Sequence, residues 1–187
     1  MASCFLDSSA VVKLYHPEAG SGTIQKIVAE PESRILVSRL AVVEVRSAFA
    51  GKLRVRAITE RDARLSLARF KSDLVAGSIE VFALTEFHYY GMAEQLIEKH
   101  WTRQRLRTLD SLQLAVALDL CEQGLIENFV AADKKLGEVA AAEGLSVLNP
   151  DPSLPACAFI WMFPKRWPAR SAPNPAASPA WQSKPWP

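Results

Sequence analysis

The chain has 187 residues, of which 49% are apolar and 22% charged, and a formal charge of +2 at pH 7. Those values exclude a highly charged disordered chain and fit a soluble protein long enough to bury a full core. Cys4, Cys121 and Cys157 are odd in number and widely spaced, with no C-x-x-C, which argues against a disulfide framework or a zinc site.

In chain order, the first strand candidate is Ser3–Leu6, followed directly by Asp7. Ile35–Val37 is the second, with Ser38 placed to cap a helix over Arg39–Leu53 that contains Glu44. The segment Arg34–Lys71 holds ten Lys/Arg against Glu44, Glu60 and Asp62, a density that attracts phosphate backbones or simply forms a solvated helix face. Thr59 with Asp62 makes a capping box, and Ala63, Leu67, Phe70 and Leu74 form the buried stripe of the helix that follows. Within that helix Arg61, Arg64 and Lys71 lie at separations of three and seven, on a polar face opposite Leu67 and Phe70, and are the candidate contacts to a phosphate backbone.

Ile79–Leu84 is the third strand candidate. Thr108 is placed to cap the next helix, which carries Asp110 and a stripe of Leu112, Ala115, Val116 and Leu120. Phe129–Ala132, followed directly by Asp133, and Leu145–Leu148 complete the strands, and Gly77, Gly124 and Gly144 are helix stops. His16, His88 and His100 form no metal-binding pair and are expected to be surface or packing residues. No basic region precedes an apolar stretch at the N-terminus, and Ala156–Phe163 is far shorter than the ~20 residues a spanning helix needs. A cytoplasmic protein off the membrane is therefore expected.

Short apolar strands alternating with amphipathic helices imply an α/β three-layer domain with a central, mainly parallel sheet. Composition changes after Pro150. Residues 151–187 hold nine of the twelve prolines and four of the five tryptophans, so the expected division is a folded domain over 1–150 and a Pro/Trp-rich tail, irregular or disordered, over 151–187. The first 150 residues carry 18 Lys/Arg and 19 Asp/Glu, leaving the net positive charge to the tail.

Ligands of such sheets gather beyond the carboxyl ends of the strands, where Asp7 and Asp133 sit. Each has a bland alternative as the cap of the next helix. Glu44 stands in the apolar run Leu40–Val45 and needs a partner, its bland alternative being an ion pair with Arg46 or another basic group. Asp110, near a helix N-terminus, has a macrodipole interaction as its alternative. If these four carboxylates converge they repel strongly, and a cation or raised pKa values must compensate. Oxygen ligands without a His or Cys cluster select Mg²⁺ or Mn²⁺, and such a cluster suits hydrolysis of a phosphodiester. No phosphate-binding G-x-x-x-x-G-K-[ST] and no nucleophile-elbow G-x-S-x-G is present, and the paired acids of a receiver or phosphotransferase site are missing near Asp7.

The segments Phe5–Tyr15, Ser38–Val45, Thr108–Ala117 and Phe129–Leu136, closed by Val147–Pro150, resemble in order and spacing the four acidic motifs of PIN-domain toxins of the VapC type. The resemblance spans residues 1–150. It implies a metal-dependent endoribonuclease, with Asp7, Glu44, Asp110 and Asp133 as catalytic and metal-binding residues for Mg²⁺ or Mn²⁺. It also implies an RNA substrate, a homodimer and a cognate VapB-like antitoxin. One departure is Ala131, where many relatives carry a Thr or Ser hydroxyl two residues before the fourth acid. The competing reading is a non-catalytic RNA- or protein-binding module on the same fold.

Because all four acids precede Asn149, truncation after Pro150 is expected to leave a folded, active protein. Circular dichroism and an RNA cleavage assay on the truncated chain check this, and unfolding would move the domain boundary into the tail.

Overall fold

A computed structural model describes residues 3–83, 87–102 and 106–151. The Pro/Trp-rich segment beyond Asp151 lies outside the described residues, as does Leu84 of the third strand candidate. The described residues form β1 (Ser3–Leu6), α1 (Ser8–Tyr15), α2 (Ser21–Ala29), β2 (Arg34–Ser38), α3 (Arg39–Arg54), α4 (Glu60–Ala76), β3 (Glu80–Phe82), α5 (His88–His100), α6 (Thr108–Glu122), β4 (Asn128–Val130), α7 (Lys134–Ala142) and β5 (Ser146–Leu148). The strands make one five-stranded sheet in the order β3-β2-β1-β4-β5, and every pairing is parallel.

The inner strands β2, β1 and β4 are buried on both faces, and their alternate side chains serve two cores. Cys4, Leu6, Ile35, Val37 and Val130 pack with α1 to α4 through residues such as Val11, Val45, Phe49 and Phe70. Phe5, Leu36 and Phe129 point to the other face, against α5 to α7 through Tyr89, Leu96, Leu114 and Val139. Three layers result, as the alternation of strands and helices implies. The chain moves from β1 outward to β2 and β3, returns past β1 to β4, and continues to β5. Right-handed crossovers require the helices to change face when the direction of travel reverses. The reversal falls between β1 and β4, neighbours in register at Phe5 and Phe129, whose rings stack 6.0 Å apart.

Local start and stop signals agree with the sequence at most ends. Ser38 caps α3 by accepting from the Ala41 amide, and Thr59 and Asp62 form the reciprocal capping box of α4. Gly77, Gly124 and Gly144 take positive φ just beyond α4, α6 and α7. The start of α6 differs. Arg107 occupies the N-cap without a side-chain bond and Thr108 is the first helical residue. Nor is α6 amphipathic: Gln113, Leu114, Ala115, Val116, Ala117 and Leu120 are all fully buried, so the helix is enclosed on nearly every side. α2 and α5 are helices beyond those the sequence signals imply, and Tyr89, Ala93, Leu96 and His100 form the buried stripe of α5.

The histidines fill packing roles. His16 meets the Phe49 ring edge-on, and His100 Nε2 lies 2.6 Å from Glu143 Oε1, tying α5 to the end of α7. No helix among the described residues is long and apolar enough to cross a membrane.

Gly20 caps α2 with φ +86°, and a Cβ there would stand 2.7 Å from the Pro150 carbonyl oxygen. Both the backbone conformation and the close approach of the chain leaving β5 require glycine. Gly20→Ala is expected to cost about 2 kcal/mol, lowering the melting temperature by roughly 4–8 °C in calorimetry.

Candidate active site

The carboxyl edge of the sheet, at the reversal between β1 and β4, is where an open α/β sheet holds ligands. Asp7 leaves β1 at that point. Its amide donates to the Val130 carbonyl at 2.9 Å, locking it to the end of β4. Its side chain is 4% exposed. Oδ2 accepts from the Ser9 amide at 3.0 Å and the Ser9 hydroxyl at 2.6 Å, and that hydroxyl oxygen accepts from the Ala132 amide at 3.0 Å. Ser9 thus joins the starts of α1 and of the loop after β4.

Asp7 does cap α1, as its bland alternative requires. A carboxylate engaged only as a cap has its proton affinity lowered by the donors it meets. Burial raises that of Asp7 instead, outweighing the hydrogen bonds from Ser9, and the charge of Asp133 adds to the rise.

Glu44 lies on α3, half-buried, and its partner is not Arg46. The Gln113 amide nitrogen donates to Glu44 Oε2 at 2.7 Å, while the Ser38 hydroxyl donates to Gln113 Oε1 at 2.5 Å. Since Ser38 Oγ already accepts from the Ala41 amide at 3.0 Å, its proton is directed to Gln113, which sets the amide with its nitrogen toward Glu44. The adjacent Val43 projects from another face of α3 and is 60% exposed. Burial raises the pKa of Glu44, Gln113 opposes it, and the charges of Asp7 and Asp110 add.

Asp110 occupies the first turn of α6. Burial, then the charge of Asp7, pushes its pKa up to about 6 against the opposing charge of Arg107. Asp133 caps α7, with Oδ1 accepting from the Lys135 amide at 2.8 Å and the Leu136 amide at 3.2 Å. Between the starts of α6 and α7 runs a cleft of about 210 Å³, lined by Leu106, Arg107, Asp110, Asp133, Lys135 and Leu136.

The four acids come from four places in the sequence, and their charges act on one another in a chain: Asp133 on Asp7, Asp7 and Asp110 on Glu44, and Asp7 and Asp133 on Asp110. Among the described residues, however, no three His, Cys, Asp or Glu side chains stand at the spacing that holds a metal ion. Mutual repulsion opposes such an approach until a cation offsets it. The donor set consists of carboxylate oxygens alone, and their proton affinities are raised partly by one another, which suits a hard divalent cation.

Arg61, Arg64 and Lys71 are exposed on α4, and Arg64 is paired with Glu60 at 2.5 Å. None of the three lines the cleft beside Asp110. Ser9, Ser38 and Gln113 are structural parts of the site that the acidic pattern does not reveal. Gln113 did carry a signal, since a polar residue in the middle of Leu112–Ala117 raises the same question of a partner as Glu44.

The sequence matches the PIN domain model over residues 4–142. The chain belongs to the PIN-domain family. Similar solved structures include Mycobacterium tuberculosis VapC20, described as a sarcin-ricin loop cleaving toxin, which is 20% identical with a TM-score of 0.58, over 79% of this chain and 99% of that one. M. tuberculosis VapBC-5, of the VapBC family of toxin–antitoxin systems, is 17% identical with a TM-score of 0.51, over 80% and 99% of the two chains. Rickettsia felis VapBC2, bound to a fragment of promoter DNA, is 14% identical with a TM-score of 0.52, over 79% and 98%. At these identities the likeness is one of fold. No curated protein matches the sequence.

In this PIN domain the folded state holds the Asp110 proton more tightly than the unfolded chain does. The resulting penalty is absent below about pH 4, grows as pH rises, and is full above the folded-state value of about 6. Asp110→Asn is therefore expected to stabilise the metal-free protein at pH 7.5 by about 1 kcal/mol, after discounting for solvent around a half-buried group. Thermal melts in chelator check this, and the gain should shrink toward pH 4.

Proposed function

We propose that the protein is a metal-dependent endoribonuclease that hydrolyses RNA phosphodiester bonds and acts as the toxin of a toxin–antitoxin pair. The observation that carries the reading is the set of four carboxylates at the carboxyl edge of a PIN-domain sheet, with Asp7 buried and its proton affinity raised where a plain cap would lower it. The resemblance to VapC-type toxins supports the toxin assignment and, with it, a homodimer and a VapB-like antitoxin as partners. Asp7, Glu44, Asp110 and Asp133 would hold Mg²⁺ or Mn²⁺. Such an ion acidifies water, neutralises the phosphate and stabilises the leaving oxygen.

The chain's own residues prepare that site. Ser9 fixes the Asp7 carboxylate through Oδ2, and Gln113 orients Glu44. The amides of α7 restrain Asp133 through Oδ1. The Ser9 hydroxyl also bonds the Ala132 amide, so a hydroxyl reaches this edge although Ala131 is turned into the core of the second layer. Asp110, with a pKa near 6, is ionised at neutral pH and ready to receive a cation.

A second reading has one observation in its favour. Asp7 and Asp133 do serve as helix caps, as they would in a non-catalytic binding module. Asp7→Asn separates the two. Asparagine caps nearly as well as aspartate but removes a charge from the metal site. Cleavage of RNA with Mg²⁺ or Mn²⁺ is expected to fall at least about a hundredfold, while RNA affinity, which rests on basic groups, changes little. Expression of the wild type without antitoxin should arrest growth, and the Asn variant should not. Wild-type-like cleavage by the Asn variant would remove Asp7 from the site, and RNA binding without cleavage by either protein would favour the binding module.

A further inference from the structure

The wall of the cleft contains two cations beside its two acids. Arg107 stands at the N-cap of α6 and Lys135 in the first turn of α7, facing the same space as Asp110 and Asp133. Several basic side chains elsewhere in the domain are committed to acids, as is Lys134 beside them, which faces Glu138 one turn on. Arg34 is paired with Glu80, Lys52 with Glu18, Arg64 with Glu60 and Lys99 with Glu143. Among the described residues neither Arg107 nor Lys135 is held by an ion pair or a side-chain hydrogen bond. Of the acids next to them, Asp133 Oδ1 serves the amides of α7, and Asp110 feels the charge of Arg107 without an ion pair to it.

Two further facts bear on this side of the sheet. α6 and α7 are 15 and 9 residues long and both begin at the cleft, so their first-turn amides add positive potential there. α4, by contrast, packs in the other helical layer, with Ala63 and Phe70 in the core shared by α1 and α3. The cations of α4 therefore belong to the opposite layer from the cleft.

On the reading of the site as an endoribonuclease, we propose that Arg107 and Lys135 hold the phosphates flanking the cleaved linkage, so that the RNA backbone crosses the sheet edge between the N-termini of α6 and α7. A guanidinium matches a phosphate through two parallel hydrogen bonds, and an ammonium binds it as a point charge. Neither reads a base, so these contacts place the strand and leave sequence preference to other groups.

Binding of a short single-stranded RNA, followed by fluorescence anisotropy in the Asp7→Asn background over a range of salt, tests the assignment without cleavage. Arg107→Gln with Lys135→Gln is expected to weaken binding about ten- to a hundredfold and to reduce the salt slope by ~1.4, two phosphate contacts at ~0.7 each. The charge-keeping pair Arg107→Lys with Lys135→Arg should restore the slope. Lys26→Gln with Arg69→Gln, which removes equal charge from α2 and α4, should change neither quantity. With Asp7 intact, the Gln pair should raise KM and leave kcat within a few-fold. Unchanged affinity and slope in the Gln pair would overturn the proposal, as would a loss seen only on Arg61→Glu with Arg64→Glu, which would place the strand on α4. If the wild type binds RNA through Arg107 and Lys135 but does not cut it with Mg²⁺ or Mn²⁺, the nuclease reading fails and the phosphate contact stands. If the wild type cuts and the Gln pair is unaffected, the phosphate contact fails alone. No RNA binding by any of these proteins refutes both.

Discussion

Like charges have to be carried to one edge of a sheet and kept there, and the rest of this fold answers to that constraint. A pair of carboxylates at ~4 Å repel by about 4 kcal/mol at an effective dielectric of 20, a large share of the stability of an ordinary domain. The opposing free energy comes from where the acids are attached. Asp7 extends the central strand and Asp133 follows its neighbour. Phe5, Leu6, Phe129 and Val130 behind them are fully buried. Separating the two carboxylates would mean pulling apart the most completely desolvated pairing in the protein, so hydrophobic burial elsewhere holds the charges close.

Neutral donors, not cations, fix the direction of the individual acids. Ser9 serves Asp7, Gln113 serves Glu44 and backbone amides serve Asp133. An arginine or lysine in those places would have formed an ion pair and lowered the affinity of the cluster for a metal or a proton. A hydroxyl or an amide orients a carboxylate and leaves its charge in place. The raised proton affinities of Asp7 and Glu44 are the signature of that choice, since burial outweighs what the neutral donors contribute.

Much of this was legible in the sequence because its signals are local. The strand Ser3–Leu6 and the caps Ser38 and Thr59 depend on a few adjacent residues and a period, and they stand where those residues place them. The parallel sheet followed from alternation of element types. What was hidden depends on contacts between distant segments. Gln113 reaches Glu44 across 69 positions and Ser9 reaches Ala132 across 123, so neither partnership has a sequence period to betray it. The bland alternative for Glu44 is an ion pair with Arg46 or another basic group, yet residues two apart on a helix diverge by about 200°, and the partner, Gln113, comes from another element. For α6 the spacing of Leu112, Ala115, Val116 and Leu120 implies one buried face, while Leu114 and Ala117 are fully buried and Leu112 only partly so. A central helix has no polar side to contrast with its apolar one.

That enclosed helix ties the site to the core. Gln113 is 0% exposed and Asp110 lies one turn before it, so both are carried by a segment that cannot rotate or slide without disturbing Leu114, Ala115 and Val116. Close packing makes such a segment stiff, because a shift of even one methylene has no free volume to occupy. Glu44 gains its orientation from Gln113, and Gln113 gains its own from Ser38, the last residue of β2. Sheet, central helix and carboxylates therefore form one connected unit in which hydrogen bonds set direction and burial sets position. On the proposed metal-dependent reading, a cation would draw in carboxylates whose supporting segments are already ordered, and the free energy of binding it would not be spent on ordering α3 and α6.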